Sequence, residues 1–180
     1  MTQVTILGGV QRTSLDDMAC SIARTVDLVG EWWTPLILRD LFAGVRRFED
    51  LRRDLGIASN VLTARLERLL EHGIINRRRY QENPPRSEYV LTEKGRDLYP
   101  ILATIMAWGD RWLAGDDGPP ALLIHQDCGQ ATTATIVCSV CGGPLTPDRL
   151  HITPGPGGRA GKGTAMIGRR IRTDRRARGA

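Results

Sequence analysis

Along the first two-thirds of this chain apolar residues recur at intervals of three and four, the spacing that lines one face of a helix. Ser14-Leu15-Asp16-Asp17 has the form of a capping box, and Leu15, Met18, Ile22, Val26 and Val29 then share a face before Gly30 closes the element. Thr34 predicts a second cap, with Pro35 at the first position of a short apolar helix over 36–43 that Gly44 ends. A third helix is predicted over 47–55, with Phe48, Leu51 and Leu55 inward and Gly56 as its stop. Ser59 is placed to cap a fourth, whose Leu62, Leu66, Leu69 and Leu70 make a tight stripe ended by Gly73. There the period changes. Residues 74–80 and 87–91 are rich in strand formers, and Gln81-Glu82-Asn83-Pro84-Pro85-Arg86 joins them as a proline-stiffened hairpin tip. Thr92 then caps a long helix reaching about Ala114, and no internal repeat is present.

Only Gly56-Ile57-Ala58 separates the third helix from the fourth. So short a turn makes the two helices cross steeply, and the second projects from the body where it can enter a major groove. With its leucines inward, the fourth helix turns Asn60, Ala64, Glu67 and Arg68 outward, with Ser59, Thr63 and Arg65 on the flanks. Asn pairs bidentately with adenine and Arg with guanine, and an Ala or Thr methyl packs against the thymine methyl. The hairpin follows at once, where a wing belongs. Arg77 and Arg79 lie on one side of its first strand, Arg78 on the other, and Arg86 at the tip. Together with Arg46 and Arg47 ahead of the third helix, these are the candidates for phosphate or minor-groove contacts. The bland alternative is a helical packing unit with solvated arginines. The fold class expected is mainly α with a small β-hairpin wing, a winged helix-turn-helix, followed by a small β ribbon-like segment.

Charge sharpens this picture. The formal net charge is +5, yet 155–180 hold eight Lys or Arg against one Asp, so the rest of the chain is slightly negative. Within that rest, 44–91 carry ten Arg against seven acidic residues, while 16–43 and 92–118 are acidic. A basic middle between acidic flanks fits one face meant for a polyanion.

Several separate stretches resemble one family. Cys20-Ser-Ile-Ala-Arg-Thr-Val-Asp-Leu-Val-Gly, Trp33-Thr-Pro-Leu-Ile-Leu-Arg-Asp-Leu and Arg47-Phe48-Glu-Asp-Leu are similar to the opening of HxlR-type regulators, relatives of the MarR group. Asn60-Val-Leu-Thr-Ala-Arg-Leu, Tyr89-Val-Leu-Thr-Glu-Lys-Gly and Trp108-Gly-Asp-Arg-Trp follow in that family's order, so the resemblance covers about residues 18–114. It implies a winged-helix transcriptional regulator, more often a repressor than an activator. It also implies a homodimer on a palindromic operator, joined through the first and last helices. The residues agree on the dimer: Leu98, Ile101, Leu102, Ile105, Met106, Trp108, Trp112 and Leu113 span about 160° of the long helix, wider than the roughly 100° one core contact needs. A helix clamped on two sides within one chain is the alternative.

Four cysteines remain. Cys20 lies off the main apolar stripe of the first helix, near its start, where a thiolate is favoured. Some relatives that this chain resembles use such a cysteine to sense oxidants or electrophiles, so a thiol-responsive sensor is one alternative function, and a small interface residue is the plainer one. His125-Gln-Asp-Cys128-Gly129 and Cys138-Ser-Val-Cys141-Gly142 share the form of a zinc knuckle, so His125, Cys128, Cys138 and Cys141 are expected to hold a structural zinc. Asp127 or His151 could replace His125. A redox-active CxxC and a metal-free ribbon folded on Ile124, Ile136 and Val137 stand as alternatives. So does a zinc-ribbon nucleic-acid or interaction factor for which the helices are scaffold.

No Gly-rich phosphate loop, GxSxG or HExxH occurs, and His72, His125 and His151 show no triad-like spacing, so no enzyme is expected. No apolar run approaches the roughly 20 residues of a membrane span, and the N-terminus has no basic start or hydrophobic stretch of a secretory signal, so a cytoplasmic protein is expected. The expected organisation is a flexible 1–13, a DNA-binding and dimerisation domain over 14–114, a linker at 115–120, the ribbon-like 121–153, and a basic, disordered 154–180. Double-stranded DNA and a second copy are the partners, with a small-molecule or oxidant effector left open.

Overall fold

A computed structural model describes residue 15 and residues 17–169. Ser14 and Asp16 of the expected capping box, and the tail from 170, lie outside the described residues. The chain divides into two compact units, one of Met1–Gly30 with Ile152–Ala180 and the other of Glu31–His151.

In the first unit, helix α1 (Ser21–Val29) starts a turn and a half later than the apolar spacing predicts, with Cys20 as its N-cap. Side chains explain the delay. The buried Asp27 carboxylate accepts the Leu15 N–H at 3.3 Å, and Arg24 Nε donates to the Met18 carbonyl at 3.0 Å. These bonds hold Leu15 and Met18 back instead of letting them extend the helix. Ile22 and Val26, expected inward, are exposed. Residues 152–164 contain turns without regular structure, and 165–169 form a short helical stretch.

The second unit begins with α2 (Trp33–Phe42), α3 (Phe48–Leu55) and α4 (Ser59–Glu71). α2 starts before Thr34, which was expected to cap it. Pro35 is its third residue, where a missing N–H costs nothing because the first turn's donors have no helical acceptor. Likewise the N-cap of α4 is Ala58, not Ser59: Ala58 has extended backbone and its carbonyl accepts the Leu62 N–H at 3.0 Å. Gly56 ends α3 in the left-handed conformation at φ +61, which lets the chain reverse within three residues. α2 packs on both α3 and α4. Ile37, Leu38, Leu51, Leu62, Leu66 and Leu69 are each essentially fully buried between them. Arg39 adds a polar tie, donating to Asp40 at 2.8 Å and to Asp54 at 3.3 Å, which links α2 to α3.

Strands β1 (Ile75–Gln81) and β2 (Arg86–Leu91) form the expected antiparallel hairpin, with Arg77 opposite Tyr89 and a register shift at Tyr80. The Tyr89 N–H donates to the Arg46 carbonyl at 2.8 Å and binds the wing to the loop before α3. Thr92 caps as predicted, accepting the Gly95 N–H at 3.0 Å, but the long helix is two helices, α5 (Glu93–Arg96) and α6 (Tyr99–Leu113). Pro100 accounts for the break. It has no N–H for the Arg96 carbonyl and its ring crowds that position, so the chain turns at Asp97-Leu98 and restarts.

After Gly115 the chain makes two small hairpins. One pairs β3 (Leu123–Ile124) with β4 (Ala131–Thr132), and a bridge from Val137 to Pro144 closes the other. The first lies along α6, leaving a shallow cleft of about 260 Å³ beside Met106, Asp110 and Leu123. No residue over 121–151 is buried. No helix among the described residues is long and apolar enough to cross a membrane.

Candidate nucleic-acid interface

The body of the second unit buries α4 on one side only, and that choice defines its free face. Leu62, Leu66 and Leu69 are buried while Leu70 is half-buried, so the arc turned to solvent carries Ser59, Asn60, Thr63, Ala64 and Glu67. The two arginines sit differently. Arg65 lies at the edge of the buried arc, half-buried, its guanidinium ion-paired with Glu31 just ahead of α2. Arg68 is also half-buried, on the other flank. Glu31 played no part in reading the helix from sequence, because the pair spans more than thirty residues and no periodicity signals it.

The wing's arginines are held in three ways. Arg77 lies over the Tyr89 ring, its guanidinium carbon 5.6 Å from the centroid. Arg78 crosses the hairpin to Glu88, Nε to Oε1 at 2.9 Å, and Arg79 reaches Glu82 at 3.1 Å. The expected alternation holds, with Arg77 and Arg79 on the side of buried Tyr89 and Arg78 on the opposite side. Arg86, at the tip, is exposed and makes no ion pair or side-chain hydrogen bond among the described residues. Arg46 is exposed as well. Arg47 stacks 4.7 Å over the ring of Tyr80, the residue at the register shift. A cation over an aromatic face keeps its charge while losing much of its freedom. Both tyrosines therefore present arginines rather than neutralise them, a role that sequence spacing did not reveal.

This arrangement can do one kind of chemistry well. A projecting helix shows amide, hydroxyl and methyl groups suited to base edges, and cations flank it on the wing and on the loop before α3. The cysteines lie elsewhere. Cys20 is half-exposed at the start of α1. The four expected zinc ligands form two pairs, one on each small hairpin, and the structure does not gather them: among the described residues no three His, Cys, Asp or Glu side chains meet at one point. Backbone hydrogen bonds build each turn by itself, and the exposed side chains of this segment supply no core to press the turns together.

A family model described as HxlR-like helix-turn-helix matches residues 28–117, from the end of α1 through the wing and α6. The chain belongs to the HxlR-like helix-turn-helix family. Rv3095 of Mycobacterium tuberculosis, named an uncharacterised HTH-type transcriptional regulator, is 45% identical over 140 residues, 78% of this chain and 89% of that protein. The regulator sll1512 of Synechocystis sp., named in the same terms, is 44% identical over 105 residues, 58% of this chain and 78% of its own length. Among solved structures, PA1607, described as a candidate transcription factor, superposes with a TM-score of 0.71 at 36% identity, covering 78% of this chain and 99% of that one. As an HxlR-like protein the chain is a regulator with a DNA-binding winged-helix fold and not an enzyme. The Mycobacterium match is too long to fit within residues 1–117, so its similarity to this HxlR-like chain runs on into the cysteine-bearing segment.

Proposed function

We propose that this HxlR-like protein is a sequence-specific transcriptional regulator, acting chiefly as a repressor, that binds a palindromic operator as a homodimer. The observation that carries it is the exposed row Asn60, Thr63 and Ala64 on α4, together with a wing that carries the exposed Arg86 and has the exposed Arg46 and Arg47 held against it. In this reading Asn60 and its neighbours contact bases, with Arg65 and Arg68 bordering them, and Arg77, Arg78, Arg79 and Arg86 serve phosphates or the minor groove. A dimer sets two such helices about 34 Å apart, one turn of the duplex, hence the palindrome. Occupying a promoter-proximal site excludes polymerase, hence repression.

Gel shifts on the DNA upstream of its own gene, followed by selection from random sequence, test this reading. Neutralising Arg77, Arg79 and Arg86 together should weaken binding to all sequences and lower the slope of log K against log salt by about 0.9 for each phosphate no longer neutralised. Asn60→Ala should instead relax preference at one operator position, at a cost of about 1–3 kcal/mol for the favoured base. Identical selected sequences for Asn60→Ala and the parent would remove Asn60 from the reading face.

The dimer rests on α6. Ile101, Ile105, Trp108 and Trp112 fall at intervals of four, three and four along one face, and Trp108 and Trp112 are 59% and 62% exposed. Such a stripe is the seam of a helix pair. Sedimentation should give a dimer at micromolar concentration, and Trp108→Glu with Ile105→Glu should give a folded monomer that binds the operator at least tenfold more weakly. A double variant that remains dimeric would place the interface elsewhere.

A further inference from the structure

Two turns beyond α6 are built alike. In His125-Gln-Asp-Cys128-Gly129, the Gly129 N–H donates to the His125 carbonyl at 2.7 Å and the His125 N–H to the Gln130 carbonyl at 2.9 Å. In Cys138-Ser-Val-Cys141-Gly142, the Gly142 N–H donates to the Cys138 carbonyl at 2.9 Å and the Cys138 N–H to the Gly143 carbonyl at 2.8 Å. Gly129 and Gly142 have φ of +67 and +70, a left-handed conformation that a Cβ would strain. The two sequences share only the first position's metal-binding side chain, the cysteine three residues on, and the glycine. They nevertheless close the same ring of bonds.

In the first turn two side chains stand as neighbouring ligands of one metal would. His125 Nδ1 lies 3.4 Å from Cys128 Sγ. Nitrogen and sulfur ligands on a tetrahedral zinc of ordinary bond lengths sit about 3.5 Å apart. The far nitrogen, His125 Nε2, faces Asp127 Oδ2 at 3.6 Å, on the side from which a carboxylate orients a ligating imidazole but beyond direct hydrogen-bond distance. Of the three candidates for this ligand, His125 is the one at ligand distance from Cys128, with Asp127 behind its imidazole. His151 makes no ion pair or side-chain hydrogen bond among the described residues. The segment also lacks any other staple, for Ile124, Ile136, Val137 and Val140 are all half-exposed or more.

We infer that His125, Cys128, Cys138 and Cys141 form a closed structural site for a zinc-class divalent cation, which draws the two preformed turns together. Each turn already presents two ligands, so the cation adds the one cross-link that the side chains of 121–151 do not provide. Metal binding displaces the protons of the three cysteines. None of its four residues lies on α4 or on the wing, so its loss should leave operator preference intact.

The test uses the full chain, reduced and stripped of metal, titrated with Co²⁺ and then Zn²⁺. One equivalent of Co²⁺ should bring up the strong visible absorption of a tetrahedral thiolate site, and Zn²⁺ should abolish it. Cys128→Ser and Cys138→Ser should lose the signal. His125→Ala should weaken uptake well beyond tenfold, Asp127→Asn about tenfold, and His151→Ala not at all. Thermolysin resistance of the 121–151 segment, whose Leu, Ile and Val residues are that protease's targets, should appear only with metal. Wild-type protein that takes up neither ion would overturn the site, as would uptake unchanged in Cys138→Ser. A Cys138–Cys141 disulfide forming readily in protein that binds no metal would overturn it in favour of a redox pair.

Discussion

Gly95→Ala is expected to lower the melting temperature by more than about 10 °C, although alanine normally stabilises a helix relative to glycine by about 1 kcal/mol. The sign reverses because of what stands beside it. A Cβ at Gly95 would lie 2.1 Å from the Ile74 carbonyl oxygen and 3.1 Å from Leu91 Cδ2. That carbonyl is fixed already, accepting the Thr92 N–H at 3.0 Å and the Thr92 hydroxyl at 3.1 Å. Backbone cannot swing aside as a flexible side chain can, so α5 must leave the end of α4 and the base of the wing. Overpacking of this kind costs about 3 kcal/mol, and each kcal/mol moves the midpoint of a unit of this size, Glu31–His151, by about 3–5 °C. Thermal melts followed by circular dichroism measure it. A variant as stable as the parent would mean that the Gly95–Ile74 approach is not present in solution.

Leu66→Ala should have an effect of similar size by the opposite route. Leu66 is 1% exposed on the inner face of α4, and deleting three buried carbons there costs about 2–5 kcal/mol in lost transfer energy and residual cavity. It also separates stability from recognition. Below its lowered melting point, Leu66→Ala should keep the parent's selected operator sequence and salt slope, because Asn60, Thr63 and Ala64 occupy the other face of the same helix. Asn60→Ala should show the reverse, an unchanged melt with altered preference. If Leu66→Ala shifted base preference while folded, the division of α4 into a packed and a reading face would be wrong.

The periodic parts of the fold were legible without coordinates. The leucines of α4, the glycine-led turn before it and the change to strand formers at Ile74 each report a local geometry that the chain carries within a few residues. Where the reading slipped, local signals competed. Ser59 looked like a cap, yet Ala58 already had the extended backbone and the accepting carbonyl. The helix after Thr92 looked continuous because its apolar stripe continues through Pro100, whereas the missing N–H of that residue breaks the hydrogen-bond ladder. At α1, Asp27 and Arg24 reach back to Leu15 and Met18 and hold them off the helix, and periodicity alone gives no hint of such side-chain bonds.

By itself, then, the sequence determined the order of the elements, the face of α4 that packs inward, the basic wing and the two paired cysteine turns, since each depends on repeats and spacings of a few residues. Tertiary structure decided which partners those side chains meet. Arg65 pairs with Glu31, Arg77 and Arg47 lie over tyrosines, and Gly95 is required by a carbonyl on another element. These contacts join residues that are distant along the chain. They exist only once the turns between helices have fixed the distances, and a one-dimensional pattern does not encode those distances.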